Sequence, residues 1–325
     1  MTYSPPTFTR DQTDDWKKHL DEEGYVVIRN ILSPIDHNNI FYTFMKDWGH
    51  VSPGFDIADT KTWNIDNCPL IYGKGMGVFN GFGQSDFMWN LRLNKNIIDL
   101  YKEIHSTDEL VVSMDGFSVF VSEEQQTKSW LHIDQNPCNP IYSIQGAYNH
   151  LPIGENDAGF VVVPKSHKTF TPDVSHKRDW IMHDNQEEIK KESVKLLIPG
   201  NCFTLWNSKL IHANKGMTKK KKIKKKEKKE KKDKKDKKEE QKIRQFNRLT
   251  AYITYLPKIL RSEDVLGKRI CAYRTSETTS HWANKCELKR YPFGFGKRYK
   301  ERGFGNIVAR LNKDGDIPAD RLELI

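Results

Sequence analysis

The sequence predicts an α+β chain, mainly β, in which helices near the N-terminus frame a sandwich or barrel of strands. Two observations predict it. Apolar residues recur at helical spacing up to about residue 105; beyond it the apolar segments are short, rich in β-branched and aromatic residues, and separated by turn signals such as Pro199-Gly200-Asn201. Helices first and strands later is the order of an α+β arrangement. With 325 residues, 37% of them hydrophobic and 11% aromatic, the chain can bury a substantial core, as one large β domain with helical additions or as two smaller ones. We read 1–325 as one domain carrying an insertion at 217–243.

In chain order, residues 11–20 read as a short helix anchored by Trp16 and Leu20, and Gly24-Tyr25-Val26-Val27-Ile28-Arg29 as a compact strand. A second helix follows, with Ser33 as its N-cap, Pro34 at its first position, and Ile40, Phe41, Phe44 and Met45 as its apolar face. The stretch 51–90 is rich in Gly, Asp and aromatic residues without a period, so it reads as long loops around a site or a lid. Its glycines lack the strand and helix context of a phosphate cradle. Ile97, Leu100, Tyr101 and Ile104 mark a helix over 96–105. Strands are expected at 110–121, 143–151, 159–164, 195–198, 202–206 and 248–256.

The formal charge of +10 is local. Between Lys219 and Lys242 there are 16 Lys and six acidic residues, and the rest of the chain balances 37 basic against 37 acidic groups. The folded part is therefore neutral, and only the insertion could bind nucleic acid or an acidic surface. That insertion has almost no apolar residues and cannot contribute to a core. Removing 27 residues, 217–243, leaves His212 and Arg248 nine apart, a spacing that suits a hairpin of the core with the insertion at its tip. The five cysteines (Cys68, Cys138, Cys202, Cys271 and Cys286) are odd in number and lack CxxC spacing, which points to a reducing compartment. Cys138 and Cys202 read as small buried hydrophobes. No signal-like segment opens the sequence and no apolar run reaches a membrane span of ~18 residues. A cytoplasmic protein is the expectation.

The chemistry centres on Trp130-Leu131-His132-Ile133-Asp134. In an extended segment His132 and Asp134 project from one face while Ile133 points away, so the pair could grip one metal ion. One such triplet is common by chance, but His212 follows downstream in Leu210-Ile211-His212-Ala213-Asn214, beside another apolar run. Two His and one carboxylate are the facial triad of non-haem Fe(II) oxygenases. Alternation in Arg248-Leu249-Thr250-Ala251-Tyr252 sets Arg248, Thr250 and Tyr252 on one face, and an Arg directed into a β core needs an anion such as a dicarboxylate. The duller reading makes His132 a satisfied core histidine and Asp134 a turn residue. His150, His167, His183 and His281 read as structural or surface groups, and Trp206, Trp130 and Tyr252 as core packing, with Trp130 near enough to His132 to reach a pocket.

These residues resemble the phytanoyl-CoA dioxygenase (PhyH) family of Fe(II)- and 2-oxoglutarate-dependent oxygenases. The resemblance runs from Gly24 to about Pro257. It is densest in His132-Ile133-Asp134, in Gly159-Phe160-Val161-Val162-Val163-Pro164-Lys165-Ser166-His167-Lys168, in Leu205-Trp206-Asn207-Ser208-Lys209-Leu210-Ile211-His212, and in Arg248-Leu249-Thr250-Ala251-Tyr252. It implies a double-stranded β-helix (a jelly-roll, cupin-like), with His132, Asp134 and His212 as iron ligands. It also implies Arg248 as partner of the distal carboxylate of 2-oxoglutarate, Thr250 as a hydroxyl donor beside it, and Met114, Gln145 and Asn214 in the cosubstrate pocket. The implied reaction consumes O₂ and 2-oxoglutarate, releases succinate and CO₂, and hydroxylates a C–H bond. The substrate is left open between an acyl-CoA, another small metabolite, and a residue on a protein or nucleic acid, with a small molecule the expectation. A carboxylate at Asp134 favours hydroxylation, since related halogenases have a small residue there. Lys165 departs from the family, which has glycine at that position. The competing classes are a jelly-roll that binds metal or ligand without turnover, and a nucleic-acid or surface binder acting through 219–242.

Overall fold

In the computed structural model the described residues are 1–67, 75–121, 128–172, 178–218, 246–289 and 303–325. Two mixed sheets carry most of the strands. One runs Thr2–Tyr3, Val194–Leu196, Gly159–Val162, His212–Lys215, His132–Ile133 and Ile181–Met182 in spatial order. The other runs Thr7–Phe8, Tyr25–Arg29, Cys202–Asn207, Ile144–Asn149, Arg248–Tyr252, Phe117–Phe120 and Met76–Gly77. A separate pair joins Leu110–Val112 to Tyr255–Pro257.

Alternation of side chains explains how the layers assemble. Along Tyr25–Arg29, Tyr25 and Val27 join Phe160, Val162, Leu196 and Trp206 in the cluster between the sheets, whereas Val26 and Ile28 join the large cluster under the helices. Cys202–Asn207 divides in the same way, with Cys202 and Trp206 to one side and Phe203 and Leu205 to the other. A strand covered on both faces reads as an unbroken apolar run. The outer face of the first sheet is covered by a third cluster that includes Leu131, Ile133, Ile211 and Ala213. In consequence Ile133 and Ala213 are anchored away from the neighbouring His132 and His212, which fixes the direction of both imidazoles.

The helices fall largely where expected. Thr13–Glu23 buries Trp16 and Leu20; Pro34–Val51 starts at Ser33, whose side chain accepts from the Asp36 N–H, and buries Ile40, Phe44, Met45, Trp48 and Val51. Lys95–His105 buries Ile97, Leu100 and Tyr101. Within the stretch read as loops lies a further helix, Asp86–Arg92, capped by Ser85. Phe87, Met88, Trp89, Leu91 and Arg92 are all buried, leaving only Asp86 and Asn90 as a narrow polar edge, so no clear period shows. The expected strand at 110–121 is broken at 113–116, and the one at 248–256 is split between Tyr252 and Tyr255.

Two expectations are corrected. The strands flanking the insertion are not hairpin partners: His212–Lys215 lies in one sheet and Arg248–Tyr252 in the other. The chain therefore passes between sheets there, which a short connection accomplishes as readily as a hairpin. The Lys-rich residues 219–243 themselves lie outside the described residues. Cys138 is exposed and only Cys202 is buried, its thiol pushed up to about 12 by burial. No helix among the described residues is long and apolar enough to cross a membrane.

Lys165 explains its own departure. It adopts φ 65°, ψ −3°, the left-handed region in which a Cβ is strained and glycine is favoured. Its N–H donates to the Glu23 carbonyl at 2.9 Å, closing the turn onto the end of the first helix. Lys165→Gly is expected to stabilise the fold by about 1 kcal/mol, because its exposed ion pair with Glu23 is worth little. A thermal melt reads this as a small rise in Tm; a fall would show that the ion pair outweighs the backbone strain.

Candidate metal centre and adjoining cavity

His132 and His212 are direct cross-strand partners in antiparallel pairing, which brings their rings to 4.5 Å between centroids. Asp134 enters two residues after His132, its backbone N–H donating to the Ser208 carbonyl at 2.9 Å. His132, Asp134 and His212 each offer one ligand atom, and the three atoms lie within 4.8 Å of one another. His132 Nε2 is 3.4 Å from Asp134 Oδ1 and His212 Nε2 is 3.1 Å from Asp134 Oδ2.

Hydrogen bonds set which ring nitrogen is free. His132 Nδ1 lies 2.8 Å from the Trp130 carbonyl and His212 Nδ1 2.9 Å from the Leu210 carbonyl. A carbonyl only accepts, so each Nδ1 carries the proton and each Nε2 presents a lone pair toward Asp134. Burial pushes His132 below its ordinary value, with Asp134 acting in the opposite sense, which keeps the imidazole neutral. Two imidazole lone pairs and an anionic oxygen thus converge with no hydrogen between them. A divalent cation fits that donor set, and imidazole with carboxylate suits a first-row metal such as iron.

Gln145, expected in the cosubstrate pocket, is buried and donates from Nε2 to Asp134 Oδ2 at 3.0 Å. It therefore fixes the plane of the carboxylate. Gln145→Leu is expected to weaken metal binding by roughly 10- to 100-fold, the usual cost of losing a hydrogen bond to a ligating group. Equilibrium dialysis against Co(II) measures it; unchanged affinity would deny Gln145 that part.

Arg248 is fully buried in the second sheet. Its Nη1 donates to Asn214 Oδ1 at 2.7 Å and its Nε to Thr250 Oγ at 3.1 Å; Asn214 Nδ2 in turn donates to the Tyr252 hydroxyl at 2.7 Å. Burial pulls the guanidinium below its ordinary value, and no carboxylate among the described residues offsets this. A buried cation held by neutral groups is a site that favours an anion. Arg248, Thr250 and Asn214 are thus brought together as expected, with Asn214 on the cavity wall. Met114 is not: it packs in the helix-covered cluster, its sulfur accepting from Gln84 Nε2 at 3.2 Å, and it does not line the cavity.

The triad opens into a cavity of about 500 Å³. Trp130 stacks on His132 at 4.5 Å and lines this space, within the reach read from the sequence; Trp206 and Tyr252 line it too, which corrects their reading as core packing alone. His281 is on the same wall rather than being merely structural, while His150 is structural as expected, its ring 4.2 Å from His37 and 4.9 Å from Phe41. Asp115, Trp180 and Lys289 are among the further lining residues, unforeseen. Trp180 and His281 occur in stretches with no period to mark them, so only their residue types could have drawn attention.

No family model matches the chain. Ava biosynthesis cluster protein O from Aspergillus versicolor is 26% identical over 220 residues, covering 61% of this chain and 71% of that protein. Among solved structures, the alpha ketoglutarate dependent carbocyclase SnoK from nogalamycin biosynthesis superposes with a TM-score of 0.50 at 12% identity, over 77% of this chain and 87% of SnoK. The chain has the SnoK fold. The alpha ketoglutarate dependent epimerase SnoN from the same biosynthesis gives a TM-score of 0.49 at 13% identity, over 76% of this chain and 83% of SnoN.

Proposed function

We propose that this protein is an Fe(II)- and 2-oxoglutarate-dependent dioxygenase of the PhyH type that hydroxylates a C–H bond of a small molecule. The observation that carries the reading is the convergence of two imidazoles and one carboxylate on the wall of a cavity that Asn214 also lines, Asn214 Oδ1 in turn accepting from the buried Arg248 guanidinium, which has no carboxylate partner among the described residues. His132, Asp134 and His212 would hold iron on one face, leaving the opposite face for cosubstrate and O₂. With 2-oxoglutarate and O₂, iron held there supplies the oxidation that yields succinate and CO₂ and the power to remove hydrogen from a C–H bond.

The chain's own residues account for the remaining requirements. Arg248 would pair with the distal carboxylate of 2-oxoglutarate, its guanidinium oriented by Thr250 and Asn214. Trp130 and Trp206, packed against His132 and His212, hold the imidazole planes and keep water from the reacting face. A carboxylate at Asp134 occupies the position that a halide would need, which favours hydroxylation. The biosynthesis-cluster name of the Aspergillus relative supports a small-molecule substrate.

The test is turnover of 2-oxoglutarate by the purified full chain. Succinate should form with Fe(II) and O₂ present and should cease with Zn(II) in place of iron. Succinate formation independent of iron, or none under any condition, would reject the proposal.

A further inference from the structure

The cavity has two kinds of wall. Beside the triad it is made of rings: Trp130 and Trp180 lie 4.5 and 5.6 Å from His132, and Phe160 and Trp206 lie 5.6 and 5.5 Å from His212. The lining also includes Asp115, His281 and Lys289, which neither the metal nor the keto acid employs. His281 Nε2 is buried and has no hydrogen-bond partner among the described residues. Burial keeps that imidazole below its ordinary value, so it is neutral and able to accept or donate one hydrogen bond. Asp115 is buried too, its Oδ1 accepting from the Gly116 N–H at 2.7 Å, and burial pushes its carboxyl up.

The charge on these walls limits what can enter. Among the described lining residues one lysine, Lys289, stands against Asp115 and Asp134. An adjoining groove shares Val78, Phe79 and Lys289 with the cavity and adds Arg274 against Glu277. A coenzyme A thioester carries several phosphate charges and is recognised by clustered cations. Nothing of that kind lines either space among the described residues. Flat rings beside the metal favour a flat apolar body, and an orphaned buried imidazole favours a partner that brings its own hydrogen bond.

We infer, resting on the oxygenase reading, that the substrate is a compact uncharged molecule with a ring body and a hydroxyl or N–H group. The rings pack against Trp130, Trp180 and Phe160, and the polar group is held by His281 and Asp115. His281 is then the residue that selects the substrate.

Equilibrium dialysis of the full chain, anaerobically, with and without Fe(II) and 2-oxoglutarate, tests this with 2-naphthol and its methyl ether. One net hydrogen bond predicts that 2-naphthol binds about fivefold more tightly than the ether. The preference should vanish in His281→Phe, with ether binding retained, and return in His281→Gln. Decanoyl-coenzyme A should not displace 2-naphthol. Absence of binding by both probes, a preference unchanged in His281→Phe, or displacement by the thioester at or below the 2-naphthol concentration would overturn the inference. The visible Fe(II)–2-oxoglutarate band, recorded on the same samples, is independent of these outcomes; its absence would count against the oxygenase reading and leave the dialysis result standing.

Discussion

His212→Ala is expected to abolish 2-oxoglutarate turnover and to weaken metal binding by well over ~100-fold, since losing a mere hydrogen bond to a ligand already costs up to about that much. The imidazole stands directly across the sheet from His132, and its Nδ1 is tied to the Leu210 carbonyl. Alanine keeps the strand pairing, which is made by backbone groups, and removes only the lone pair. The remaining His132 and Asp134 form a two-point site that a cation leaves readily. Stability should change little, because the lost ring is offset by relief of the lone pair facing Asp134 at 3.1 Å. Metal retained after dialysis and succinate formed per hour measure the effect, with a melt as control. Turnover within tenfold of the unaltered chain would remove His212 from the site.

Arg248→Met carries the second large effect, and its sign differs between binding and stability. Truncating one member of a buried, hydrogen-bonded charge pair costs about 2–5 kcal/mol. The KM for 2-oxoglutarate should therefore rise by roughly 30-fold to a few thousand-fold, with iron binding unaltered. Stability without cosubstrate should hold or increase, because the guanidinium is buried with no carboxylate partner among the described residues, and an apolar side chain of similar length avoids its desolvation. Arg248→Lys should not restore affinity, since an ammonium lacks the fork that reaches both Asn214 Oδ1 and Thr250 Oγ. A structural arginine would behave oppositely: stability would fall and KM would follow only as far as the fold loosened. Adding 2-oxoglutarate should raise the Tm of the unaltered chain and not that of Arg248→Met.

The candidate metal-binding residues were legible because strand geometry has a period of two. His132 and Asp134 share a face by spacing alone, and Arg248 and Thr250 do so for the same reason. Their neighbours along the chain, Ile133 and Leu249, are anchored in apolar clusters on the other side, which is the pattern that made both segments readable. Met114 was implied by the resemblance and not by alternation; the strand expected at 110–121 breaks at 113–116, and Met114 packs in the helix-covered cluster instead. The hairpin failed because separation along the chain does not distinguish neighbours within a sheet from strands on opposite sheets. Trp180, Asp115 and His281 reach the cavity from segments where tertiary contacts, not a repeating pattern, decide direction, and the helix at Asp86–Arg92 was hidden because all but Asp86 and Asn90 of its residues are buried.

The most direct measurement is an anaerobic titration of the full chain with Fe(II) and 2-oxoglutarate, followed in the visible range. Chelation of the keto acid by iron held at His132, Asp134 and His212 gives a metal-to-ligand charge-transfer band that saturates at one equivalent of iron, and His212→Ala should give none. No band in the unaltered chain, or an equal band in His212→Ala, would contradict the account.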